Sequence, residues 1–77
     1  MSEVLSAVLD ALRSIKPKVD AQPDMDLRAD AKLDSLDALE LVAQIEQRFR
    51  VPVPDERWRE MRTPRHIADY VQSVLDD

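Results

Sequence analysis

The sequence predicts an all-α fold, a small four-helix bundle of three longer helices and one short helix, with a long loop between helices one and two. Three observations carry this. The 77 residues include no glycine, so positive-φ positions lack an easy occupant and tight hairpins are disfavoured. Apolar residues recur at three- and four-residue spacing in separate stretches, the period of a helix with one buried face. The prolines lie between or at the edges of those stretches, where they stop or start helices.

The first helix is expected from about Ser2 to Ile15, with Val4, Leu5, Val8, Leu9, Leu12 and Ile15 on one face. Ser2 reads as its N-cap, Glu3 suits the positive end of the helix dipole, and Lys16-Pro17 ends it. A connection from Lys16 to Asp34 follows, with Val19, Met25, Leu27 and Leu33 as isolated apolar pins. Loops this long in small domains are usually functional or mobile. Helix two is expected from Ser35 to Phe49, capped by Asp34 or Ser35. Its inner face is read as Leu39, Val42, Ile45 and Phe49, with Glu46 at the margin. Leu36, Leu41 and Ala43 do not all fit that face, so some apolar surface should stay exposed. Val51-Pro52-Val53-Pro54 forms an extended link to a short helix over Asp55 to Met61, capped by Asp55. Thr63-Pro64 opens the last helix, whose inner face is read as Ile67, Ala68, Val71, Val74 and Leu75.

Residues 1–77 are read as one domain. With no cysteine there is no disulfide and no thiolate metal site, which fits a reducing compartment. The single histidine, His66, is expected at the surface, leaving no Cys–His pair or metal cluster and arguing against an enzyme. The net charge of -5 disfavours nucleic acid, which needs a basic face, and favours basic protein surfaces. No apolar run approaches the ~20 residues that span a bilayer, and the first residues do not read as a secretory signal. A cytoplasmic, soluble, free-standing monomer is the expectation.

One stretch carries chemistry: Leu33-Asp34-Ser35-Leu36-Asp37-Ala38-Leu39-Glu40-Leu41. Asp-Ser-Leu alone is common, and its plainest reading is a helix cap. Here, however, the serine ends a long loop, follows an aspartate and opens an acidic amphipathic helix. From this point the chain resembles the acyl carrier protein family. The resemblance runs from Leu33 to Val71 and includes Leu36 to Val42, Ile45-Glu46, Phe49, Val53-Pro54-Asp55-Glu56, Met61, Thr63 and Ala68-Asp69-Tyr70-Val71.

The resemblance implies that Ser35, flanked by Asp34 and Leu36, carries 4′-phosphopantetheine attached by a phosphopantetheinyl transferase. Cargo then rides as a thioester and could fold back between the helices. The resemblance also implies that Leu36, Asp37, Glu40, Ala43, Glu46, Val53, Asp55 and Glu56 meet partners. Those partners would be loading ligases and acyl-transfer or synthase enzymes of fatty-acid, polyketide or related biosynthesis, docking through basic patches.

The chain departs from the family in three places. Glycine commonly stands near the approach to the serine, whereas Ala31, Lys32 and Leu33 fill it here, so a turn of different shape is expected. Gln47 and Arg48 replace residues that are often acidic, and Arg50 follows them. Arg57-Trp58-Arg59 is a basic and aromatic cluster the family does not generally show, with Trp58 read as core or semi-core. Two other readings compete. An aminoacyl or peptidyl carrier would typically show a Gly-Gly-x-Ser approach. An acidic helical adaptor without a prosthetic group would have no use for Ser35.

Overall fold

The computed structural model describes residues 2–77; Met1, ahead of the Ser2 cap, lies outside them. Four helices follow one another: α1 (Glu3–Ile15), α2 (Ser35–Phe49), α3 (Asp55–Glu60) and α4 (Pro64–Leu75), with no strand among the described residues. The architecture is the expected small bundle.

α1 is the central element and packs against both α2 and α4. Its apolar stripe is broadened by Ala7 and Ala11, which are buried beside Val4, Leu5, Val8, Leu9 and Leu12. A helix covered on two sides needs that wider face. Ser2 accepts the Leu5 N–H at 3.1 Å through its hydroxyl, which fixes where α1 begins. Thr63 does the same for α4, accepting the His66 N–H at 3.1 Å, with Pro64 in the first turn. α3 differs from expectation: Pro54 occupies its N-cap position, Asp55 is already helical, and no side chain caps it.

Two inner faces are corrected by the packing. In α2 the buried residues are Leu41 and Ile45, while Leu39 is 64% exposed. The stripe that turns inward is Ala38, Leu41, Val42, Ile45 and Phe49, and Leu39 lies to one side of it. In α4 Val71 is the last buried residue. Val74 and Leu75 are exposed, because the core ends before the final turn.

The long connection is tied down along its length. Leu27, Ala21 and Ala31 are buried, and Val19, Met25 and Leu33 pack half-buried against the same core. Asp26 is its hub. One carboxylate oxygen accepts the Arg28 and Ala29 N–H groups at 2.8 Å each, closing a single helical turn. The other lies 3.2 Å from an Arg62 guanidinium nitrogen in the α3–α4 link. The Leu27 N–H bonds the Arg62 carbonyl at 2.8 Å, and Arg65 grips Asp24 with two nitrogens at 2.7 and 3.2 Å. On the far side the Tyr70 hydroxyl donates to the Pro52 carbonyl at 2.8 Å, holding the α2–α3 link to α4.

Candidate functional site

The end of the tethered loop delivers Ser35 to the surface. Leu33 N–H bonds the Leu27 carbonyl at 3.1 Å, and Lys32 turns the chain with φ of 56°. That is the left-handed region glycine occupies without cost. The absence of glycine has therefore not removed the left-handed turn; Lys32 adopts it at some strain.

α2 then begins with a reciprocal cap. The Asp34 carboxylate accepts the Asp37 N–H at 2.8 Å, and the Asp37 carboxylate accepts the Asp34 N–H at 3.4 Å. Asp34, rather than Ser35, is thus the cap. Ser35 is the first residue of the helix, exposed, and its hydroxyl makes no hydrogen bond among the described residues. The backbone N–H groups of Ser35 and Leu36 sit at the positive end of the helix and have no intrahelical acceptor.

Lys16, just past α1, braces this corner, its ammonium 2.9 Å from Asp37 Oδ2. That hydrogen bond holds the Asp37 carboxyl below the usual carboxylate range. Asp37 in turn raises the Lys16 ammonium, with a smaller contribution from Asp34. The pair ties the end of α1 to the first turn of α2, directly beside Ser35.

A groove of about 460 Å³ opens at Ser35. Its apolar lining comes from the loop (Leu27, Leu33), from α2 (Leu39, Val42) and from α3 (Trp58). Asp34, Asp55, Arg28 and Arg59 add its polar margin. Trp58 is half-buried against the core, as a semi-core residue, and it also walls this groove.

The residues expected to meet partners fall into two groups. Leu36 (76% exposed), Glu40 and Ala43 lie on the outer face of α2, and Asp55 and Glu56 are exposed at the start of α3. The other three have internal work. Asp37 closes the cap and pairs with Lys16. Glu46 is half-buried and accepts the Val53 N–H at 2.8 Å, tying α2 to the link that follows. Val53 itself is core, only 7% exposed, and offers no side chain at the surface. Leu39 joins the exposed face instead, as its offset from the inner stripe could have indicated. The Arg28 contribution to the groove had no sequence signal, because only the folded loop brings it beside α2. Trp58 and Arg59 did have one, as an unusual basic and aromatic cluster.

An exposed serine at the start of a side-chain-capped helix, beside two free amides and an apolar groove, fits a phosphopantetheine group. The family model described as "Phosphopantetheine attachment site" matches residues 2–71. The chain is 30% identical over 75 residues to an acyl carrier protein of Thermosynechococcus vestitus, covering 97% of this chain and 90% of that one. It is 28% identical over 74 residues to an acyl carrier protein of Acidothermus cellulolyticus, covering 94% and 88%. A Streptomyces coelicolor acyl carrier protein shares 45% identity over 53 residues, 69% of this chain and 58% of that one. The chain belongs to the acyl carrier protein family, whose prosthetic group is 4′-phosphopantetheine.

Proposed function

We propose that Ser35 is the attachment residue, and that this chain is a single non-catalytic carrier domain acting as a monomer in the cytoplasm. The observation that carries the assignment is the division of labour at the start of α2. Asp34, not Ser35, supplies the side-chain cap, with Asp37 as its reciprocal partner, so the Ser35 hydroxyl is exposed and free to be modified. The Ser35 and Leu36 amides and the helix dipole favour a phosphodiester at that oxygen. When bound, the prosthetic group supplies a thiol on a long arm, on which acyl cargo is held as a thioester. Apolar cargo folding back into the groove would gain about 0.8 kcal/mol per buried CH₂.

Docking is assigned to Leu36, Leu39, Glu40 and Ala43 on α2, with Asp55 and Glu56 on α3. The partners are a phosphopantetheinyl transferase, a loading ligase and acyl-transfer or synthase enzymes with basic patches. Exposed carboxylates steer a basic surface, and the exposed leucines add a small apolar contact, a combination suited to brief visits. Asp37 and Glu46 each use one carboxylate oxygen in internal bonds, which leaves the other to meet a partner. No helix among the described residues is long and apolar enough to cross a membrane.

The test is the intact mass after incubation with coenzyme A and a broad-specificity phosphopantetheinyl transferase, with Ser35→Ala alongside. Wild type should gain one phosphopantetheine and the variant none. No gain in wild type, or a gain in both, would remove Ser35 as the attachment site.

A further inference from the structure

The groove at Ser35 is lined by two arginines and two aspartates, yet neither arginine is paired with a carboxylate of the described residues. Arg13, Arg57, Arg62 and Arg65 each sit in an ion pair. Arg28 and Arg59 do not: no carboxylate of the described residues lies within 4.0 Å of either guanidinium. They reach the same groove from two elements, Arg28 from the loop and Arg59 from α3. The two carboxylates there are differently placed. Asp34 is engaged by the Asp37 amide, and Asp55 stands in the first turn of α3, against the positive end of that helix. Two guanidiniums outside any ion pair thus line a groove that opens at Ser35.

We propose that Arg28 and Arg59 are specificity-determining residues that favour an acyl cargo bearing a second, distal carboxylate. The inference rests on the carrier reading of Ser35. The thioester end of such a cargo is fixed by the arm, its short methylene segment lies along Leu39, Val42 and Trp58, and its free carboxylate meets the guanidiniums. A groove of about 460 Å³ is within the range of small-ligand sites. An arginine fork matches a carboxylate by geometry as well as by charge. The phosphodiester of the arm is a poorer candidate for this pair, because it forms on Ser35 itself, where the α2 amides are free to receive it.

The experiment compares two cargoes of equal carbon count. Succinyl and butyryl groups are loaded onto the full chain from their coenzyme A thioesters by a broad-specificity transferase, and loading is confirmed by mass. Cleavage by hydroxylamine is then timed, each rate being divided by that of the same thioester on free pantetheine. In wild type the succinyl thioester should be cleaved roughly two- to fivefold more slowly than the butyryl thioester, the scale of a partly exposed ion pair. In the R28Q/R59Q double variant that difference should vanish, while the melting temperature stays near that of wild type. Equal normalised rates in wild type, or a difference that survives in the double variant, would overturn the proposal. So would Arg28 and Arg59 side-chain NMR resonances that move fully on attachment of the bare arm and no further on succinylation, since the anion would then be the phosphodiester. Failure of wild type to acquire either group would instead sink the carrier reading, and this inference with it.

Discussion

α1 and α2 are similar in length and both amphipathic, yet they use their apolar residues differently. α1 buries seven of its 13 residues, whereas α2 buries only Leu41 and Ile45 of 15 and leaves Leu36 and Leu39 in solvent. The first helix holds the protein together by facing two neighbours at once. The second is held at its ends, by the Asp34–Asp37 cap and the Lys16 brace at one and by the Glu46–Val53 bond near the other. Its outer face is thereby free of structural duty. Substitutions should therefore separate into those that unfold the protein and those that disable it while folded.

The largest effect is expected inside α1. Leu12 is fully buried, and Leu12→Ala should cost about 2–5 kcal/mol in a denaturant titration. Leu36→Ala should stay within about 0.5 kcal/mol of wild type in the same titration. Its kcat/KM as a substrate of the transferase should nonetheless fall on the order of five- to tenfold, if the exposed leucine is a docking anchor. A Leu36 variant that unfolds, or one that is modified at the wild-type rate, would erase the contrast between the helices.

The cap comes next in size. Asp34→Ala should destabilise the fold by about 1 kcal/mol, whereas Ser35→Ala should change stability by only a few tenths while preventing attachment of the arm. Equal losses from the two would mean that the cap is shared and Ser35 is not spare. Lys32→Gly tests the turn before it. Relief of left-handed strain, less the added freedom of the unfolded chain, should leave a net gain of about 0.5 kcal/mol, read as a rise in melting temperature.

The smallest effect is electrostatic. Hydrogen bonds from the Ala29 and Arg28 amides, aided by Arg62, hold the Asp26 carboxyl below its ordinary 3.8. A group lowered on folding adds stability that is fully present above its unfolded value and disappears as pH falls through the folded one. Between about pH 6 and about pH 3, wild type should therefore lose slightly more melting temperature than Asp26→Asn, because exposed pairs are weak. An identical acid response in the two proteins would show that the loop hub contributes nothing through its charge.

Much of this was legible from sequence, and where it was not the causes are local. α1 and α4 announce themselves because capping residues and apolar period agree, as with Ser2 ahead of Val4 and Leu5, or Thr63-Pro64 ahead of Ile67. α2 was harder, since it carries more apolar residues than one face can take. Leu39 and Leu41 compete for the inside, and only contact with α1 selects Leu41. Val74 and Leu75 misled for a similar reason: helical period continues to the end of α4, while the core it faces does not. Asp26 gave no sign of its role among the scattered acidic residues of the loop, because its partner Arg62 lies far along the chain.

The sequence by itself determined the four helices, their boundaries to within a residue or so, and the serine that opens α2, because period, capping and proline placement are encoded over a few neighbouring residues. Tertiary structure decided which leucines of α2 face solvent, that Lys16 braces Asp37 beside Ser35, and that Arg28, Trp58 and Arg59 share one groove. Those outcomes depend on what packs opposite each side chain, and residues distant in the chain meet only once the loop is latched to the α3–α4 link.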